Sequence, residues 1–195
     1  MGHLRDLKPK TILDVATGTA DFAIAALRLD PVSVIGIDIA DRMLEVGREK
    51  LRRADLDGKI DLRTGAAEGM AFPDGTFDAT IVAFGARNFE QLDLGLAEMH
   101  RVLRPGGKIV VLEFSRPGTF PVRQLYFAYF QHILPLIGRV VSKSSTAYRY
   151  LPDTVMRFPE GDDFLRILSH LGFRETVQER LTFGITTIYS GIKTH

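Results

Sequence analysis

The chain has 195 residues, 45% of them hydrophobic, with 25 Lys and Arg against 24 Asp and Glu for a net charge of +1. That length suits one domain with a sizeable core, and near-neutrality gives no electrostatic case for nucleic acid. The absence of cysteine excludes a disulfide framework, a thiolate metal site and a Cys nucleophile, and fits a reducing cytoplasm.

Residues 1–10 carry Arg5, Asp6, Lys8 and Lys10 without the apolar run of a secretory signal. Ile12 to Val15 reads as a short strand, apolar on both faces. Ala20 to Leu29 reads as a helix stopped near Pro31, and Val32 to Asp38 as a second strand. Asp41 is placed to cap the next helix, whose apolar positions are Ala40, Met43, Leu44, Leu51 and Ala54. The charges of that helix alternate in sign, which predicts a solvated face. Ile60 to Thr64 is a third strand. A turn at Pro73-Asp74-Gly75 leads into a fourth, Phe77 to Phe84. Leu92, Leu96, Met99 and Leu103 stripe a helix ended by Pro105-Gly106-Gly107, and Lys108 to Phe114 is strand five.

Strands alternating with helices predict a parallel sheet covered on both faces, an α/β fold. Residues 118–158 break the rhythm and read as an aromatic-rich helical insert within a single domain of residues 1–195. A helix over Asp162 to Leu171 follows, then two strand-like runs near Glu175 to Leu181 and Thr186 to Lys193. The short Gly184 turn between them predicts an antiparallel hairpin at a sheet edge. No uncharged apolar run approaches the ~20 residues that span a bilayer.

The chemistry concentrates at strand ends. Strand one carries Asp14 and runs into Ala16-Thr17-Gly18-Thr19-Ala20, and Asp38 ends strand two 20 positions after Gly18. Small residues let a ligand approach the backbone, and a carboxylate there accepts hydrogen bonds from ribose hydroxyls, which predicts a crevice for an adenosine-bearing cofactor. Asp38 has a second reading as the cap of the next helix. Asp14 either orients a water or the loop at the far end of the cofactor, or pins the turn. Gly18 and Thr19 face the ligand, with Asp21 close by. The small residues after strand three, Gly65-Ala66-Ala67, offer backbone groups to an adenine edge, with Met70 packing on its face; alternatively they form a plain loop. Arg87, in Phe84-Gly85-Ala86-Arg87-Asn88, either binds a substrate oxygen or pairs with an acid. Residues 120–141 are either core packing of the insert or an apolar pocket or membrane-facing lid for a greasy substrate. Within them His132 reads as a general base or as a hydrogen-bonded packing residue. No cluster with metal-ligand spacing is present, so a metal-independent protein is expected.

The sequence closely resembles the ubiquinone/menaquinone biosynthesis C-methyltransferases. The segments that carry the resemblance include Leu-Asp-Val-Ala-Thr-Gly-Thr-Ala-Asp from Leu13, Phe-Gly-Ala-Arg-Asn from Phe84, Leu-Glu-Phe-Ser-Arg-Pro from Leu112 and Tyr-Arg-Tyr-Leu from Tyr148. The resemblance implies a Rossmann-like class I methyltransferase: a seven-stranded, mostly parallel sheet with an antiparallel C-terminal hairpin. It implies S-adenosylmethionine as cofactor, bound at Asp14, Gly18, Thr19, Asp38, Ala66, Ala67 and Ala83. The reaction implied is methyl transfer to a ring carbon of a polyprenyl quinol, with demethylmenaquinol favoured over a ubiquinone precursor. Arg87 and Asn88 would then meet the ring oxygens, with His132 or a water taking the proton. A prenylated substrate implies a cytoplasmic protein that visits the inner membrane surface; a homodimer stays open. The family usually has more glycine where Ala16 and Ala20 stand, and often Ser at Ala83. It also has a helical N-terminal segment before strand one, which this chain is expected to lack. A dinucleotide-dependent oxidoreductase fits the Gly18 to Asp38 spacing, but no Tyr-x-x-x-Lys motif follows. A non-catalytic S-adenosylmethionine-binding protein is the third reading.

Overall fold

The computed structural model describes residues 1–118, 120, 121, 123, 124, 126 and 154–194. The expected insert over 118–158, with His132 and Tyr148-Arg149-Tyr150, lies largely outside them.

Seven strands form one sheet: β1 (Thr11–Val15), β2 (Ser33–Asp38), β3 (Ile60–Thr64), β4 (Phe77–Ala83), β5 (Leu103–Phe114), β6 (Phe173–Leu181) and β7 (Thr186–Lys193). Their order is β3-β2-β1-β4-β5-β7-β6. The first five are parallel, and β7 is antiparallel to both β5 and β6. The expected hairpin therefore forms, but its second strand inserts beside β5 and leaves β6 as the edge. Among the described residues the helices with full bounds are α1 (Asp21–Ala26), α2 (Asp41–Arg53), α3 (Leu92–Val102) and α4 (Asp162–His170).

Alternation along β1 sorts the two layers. Ile12 joins Ala23, Ala26, Leu44 and Leu51 of α1 and α2 in one core. Leu13 and Val15 join Leu96, Met99, Phe164 and Leu168 of α3 and α4 in the other. Both faces of a parallel sheet are thereby buried, as its crossover connections require. Within the second core, Phe164 packs on Tyr189 with ring centroids 4.5 Å apart. The Tyr189 hydroxyl accepts the Gly161 N–H ahead of α4 at 2.9 Å.

Several boundaries shift for local reasons. The first helix is α-helical only to Ala26 and tightens into a 3₁₀ turn over Leu27–Leu29. On α2 the buried face is Leu44, Gly47 and Leu51, while Met43 is exposed. Asp41 is the first residue of α2 and accepts the Thr64 hydroxyl at 2.5 Å. The Ala40 N–H at the helix entrance is instead bound by Asp38, at 2.8 Å. Pro105-Gly106-Gly107 does not merely end α3: the helix stops at Val102, and these residues lie in a bulge where β5 shifts register against β4.

Chain order sets the site. β1 pairs with β2 on one side and β4 on the other, and the chain leaves β1 toward β2 but leaves β4 toward β5, so the loops after β1 and β4 diverge and leave a crevice at the carboxyl ends of the strands.

Candidate active site

That crevice is a cleft of about 690 Å³ walled by four loops. The first follows β1. Ala16, Gly18 and Ala20 all adopt left-handed backbone, with φ of 53°, 57° and 67°. A Cβ on Gly18 would also lie 3.0 Å from Met43 Cε, so this position suits glycine on two counts. The loop is tied down by backbone: Thr17 N–H donates to the Ile37 carbonyl at 3.0 Å. Gly18 N–H donates to Asp38 Oδ2 at 2.8 Å. The two ends of the sequence motif thus meet directly, and each oxygen of the cleft-lining Asp38 accepts one backbone N–H and keeps further acceptor capacity.

Asp14 is buried beneath this loop. Its Oδ2 accepts the Thr17 hydroxyl at 2.6 Å. Its Oδ1, also buried, makes no hydrogen bond of ordinary geometry, with the Ala23 N–H in longer reach. Burial pushes the carboxyl up to about 7, helped by the charge of Asp38 and opposed by the Thr17 hydrogen bond. Thr19 and Lys50 hold Asp21 at 2.6 and 2.9 Å and keep its carboxyl below the ordinary range.

The third wall is the loop after β3, where Gly65, Ala66, Ala67 and Glu68 line the cleft. Met70 does not: it is 6% exposed and packs in the core under α3. The methionine on the cleft is Met43, from the first turn of α2. The fourth wall follows β4, with Ala83, Phe84, Gly85 and Asn88 on the cleft. Gly85 is a close approach, since a Cβ there would lie 2.6 Å from Ala16 Cβ.

Arg87 is turned out of the cleft lining. Its Nη1 lies 2.6 Å from Oε1 of Glu113 and donates to the Phe84 carbonyl. Its guanidinium also lies over the Phe114 ring, 5.1 Å from the centroid. Glu113 is wholly buried, and it further accepts the N–H groups of Phe114 and Arg87 at 2.8 and 3.2 Å. Burial pushes the Glu113 carboxyl up, while Arg87 pulls the other way.

The structure thus gathers Asp14, Gly18, Thr19, Asp38, Ala66, Ala67, Ala83 and Asn88 around one cleft, with Arg87 behind its wall. His132 lies outside the described residues. Sequence reasoning missed Glu113, whose signal was a lone carboxylate ending the apolar run Ile109 to Leu112. It also missed Glu68, which lines the cleft and accepts the Glu90 N–H ahead of α3 at 2.7 Å.

Comparison with known proteins agrees with this geometry. Residues 1–193 match the model of the ubiE/COQ5 methyltransferase family. The demethylmenaquinone methyltransferase of Bacteroides fragilis is 45% identical over 191 residues, covering 97% of this chain and 78% of that protein. The ubiquinone/menaquinone biosynthesis C-methyltransferase UbiE of Geobacter sulfurreducens is 43% identical over 184 residues, covering 93% and 72%. Among solved structures, a SAM-dependent methyltransferase of Thermotoga maritima shares the fold, with a TM-score of 0.66 at 19% identity, covering 95% of this chain and 82% of that one. With matches of this extent and the expected sheet around the expected cleft, the chain belongs to the ubiE/COQ5 methyltransferase family.

Proposed function

We propose that this protein methylates a ring carbon of a prenylated quinol, demethylmenaquinol, with S-adenosylmethionine as methyl donor. The observation that carries the reading is the Gly18–Asp38 contact on the cleft, in a chain whose relatives include demethylmenaquinone methyltransferases. When bound, the cofactor supplies an activated methyl group on a sulfonium centre.

The residues present fit that cofactor. The Asp38 carboxylate has free acceptor capacity for ribose hydroxyls. The buried Oδ1 of Asp14 offers an acceptor for an ammonium group through the Ala16–Ala20 loop. Ala66 and Ala67 leave backbone groups open to an adenine edge, and Met43 supplies apolar cover. The protein's further task is to hold the acceptor carbon near the methyl group and to stabilise negative charge on a ring oxygen. Asn88, exposed on the cleft, is the donor placed for that oxygen. Arg87, neutralised by Glu113, fixes the Asn88 turn and sets the local field. His132 remains the candidate proton acceptor.

A prenylated acceptor resides in a bilayer, so the protein works as a cytoplasmic enzyme that visits the inner membrane surface. Among the described residues no helix is long and apolar enough to cross a membrane. Phe120 and Phe183 are 80% and 81% exposed, which supports a surface that dips into lipid. The protein is expected to co-float with liposomes containing a short-chain demethylmenaquinol. Mass spectrometry of the extracted quinol should show the gain of one methyl group only when S-adenosylmethionine is present. Binding of S-adenosylmethionine without any methylated quinol would overturn the substrate assignment.

A further inference from the structure

The segment between β3 and β4, residues 65–76, carries one wall of the cleft but no regular secondary structure. A loop of this length has backbone groups that need partners, and most of those it finds come from α3. Arg101 Nη1 donates to the Phe72 carbonyl at 2.8 Å, and Nη2 to the Met70 carbonyl at 3.0 Å. The same guanidinium holds Asp74 at 2.6 Å, and Glu98 through Nε and Nη2 at 2.6 and 2.9 Å. Glu98 in turn accepts the Met70 N–H at 2.8 Å. The backbone carbonyl of Arg101 accepts the Gly75 N–H at 3.1 Å. At its other end the loop is fastened through Glu68, which accepts the Glu90 N–H just ahead of α3.

The planar fork is what makes this possible. Its five N–H donors lie in fixed directions and reach two carbonyls and two carboxylates at once, which the single ammonium of a lysine cannot do. Both carboxylates face the same cation, so each of these contacts is a charge-assisted hydrogen bond. Arg104, three residues on and already in β5, makes a similar but separate clamp, holding Asp78 at 2.9 Å and the Gly75 carbonyl at 3.2 Å. It touches no residue of the cleft lining.

We propose that Arg101, with Glu98, is a positioning residue for the cofactor: it fixes the loop after β3 so that the backbone at Ala66 and Ala67 meets the purine edge in one register. This rests on the S-adenosylmethionine reading of the cleft. It makes α3, which contributes no residue to the cleft lining, the rail on which the purine end of the site is mounted. The consequence is selectivity as well as affinity, because a loop free to shift can adapt to a wrong purine.

The test is a calorimetric titration of the wild-type chain, Arg101→Lys and Arg104→Lys with S-adenosylhomocysteine and with its inosine counterpart, which differs only at the purine edge. Thermal unfolding of each variant is recorded alongside. Arg101→Lys should weaken the adenosyl ligand about tenfold, the scale of one charge-assisted hydrogen bond. The inosyl ligand should weaken less, so that the preference between the two collapses. Arg104→Lys should keep both affinities. Should Arg101→Lys fail to fold, Glu98→Gln removes the carboxylate from the same clamp and should show the same collapse. An Arg101→Lys protein with lowered melting temperature but wild-type affinities and preference would overturn the proposal, leaving a structural role alone. Equal losses in Arg101→Lys and Arg104→Lys would overturn it too. A wild-type chain that binds neither ligand overturns the cofactor reading and the clamp with it.

Discussion

Arg87 and Glu113 form a nearly dry ion pair: the two side chains meet at 2.6 Å, with Arg87 11% exposed and Glu113 not at all. They lie 26 residues apart, at the carboxyl ends of neighbouring parallel strands. Removing one partner of such a pair leaves an uncompensated charge where water cannot reach it. Glu113→Ala should therefore destabilise the protein by about 3–5 kcal/mol in urea unfolding. Replacing both residues with methionine should recover much of that loss. If Glu113→Ala unfolds at the wild-type denaturant concentration, the pair is not holding the wall after β4.

The close approach of Gly85 to Ala16 joins the walls after β1 and β4. Gly85→Ala puts a methyl 2.6 Å from the Ala16 Cβ, and overpacking of this kind costs about 1–3 kcal/mol. Ala16→Gly removes the obstructing methyl and relieves a left-handed alanine at φ 53°. The double variant should thus be more stable than the sum of the single effects by at least about 0.5 kcal/mol. Strict additivity in thermal unfolding would show that the two loops do not touch.

Asp14 gives the molecule a pH signature. Its carboxyl is raised from 3.8 to about 7, chiefly by burial. Between those values the folded protein keeps a proton that the unfolded chain has released. Asp14 therefore lowers stability as pH rises from about 4 to 7, and the effect levels off above that. At about 1.4 kcal/mol per unit the total is a few kcal/mol. Asp14→Asn lacks this term, so its stability relative to wild type should improve steadily across that interval. A constant difference between the two proteins from pH 4 to pH 8 would contradict the buried, proton-binding Asp14.

The sequence disclosed what is local. A short apolar strand, a small-residue turn and a second strand ending in acid are contiguous, so a crevice lined by both Gly18 and Asp38 could be anticipated from spacing, though not the hydrogen bond between them. The hairpin was equally legible from two strand-like runs around Gly184. What stayed hidden depends on which strands become neighbours. Glu113 looked like one polar residue in an apolar run until β5 was placed beside β4. Met43 stood out as an apolar position of α2, but periodicity marks a face without saying whether it meets a core or a cleft; Met70 sits in a loop, where no periodicity tells core from cleft. The left-handed backbone of Ala16 and Ala20 could not be read from those residues, since alanine carries none of glycine's signal for positive φ; the glycine usual there in the resembled family was the one hint. The insertion of β7 between β5 and β6 likewise follows from tertiary packing rather than from the hairpin's own residues.

The most direct test of the central claim is a calorimetric titration of the wild-type chain and Asp38→Ala with S-adenosylmethionine, run beside NADH. Saturable heat is predicted for S-adenosylmethionine and none for NADH. Asp38→Ala should weaken S-adenosylmethionine about 10- to 100-fold, as loss of hydrogen bonds to a charged acceptor demands. Saturable binding of NADH alone, or an Asp38→Ala protein that binds S-adenosylmethionine as tightly as wild type, would contradict the account.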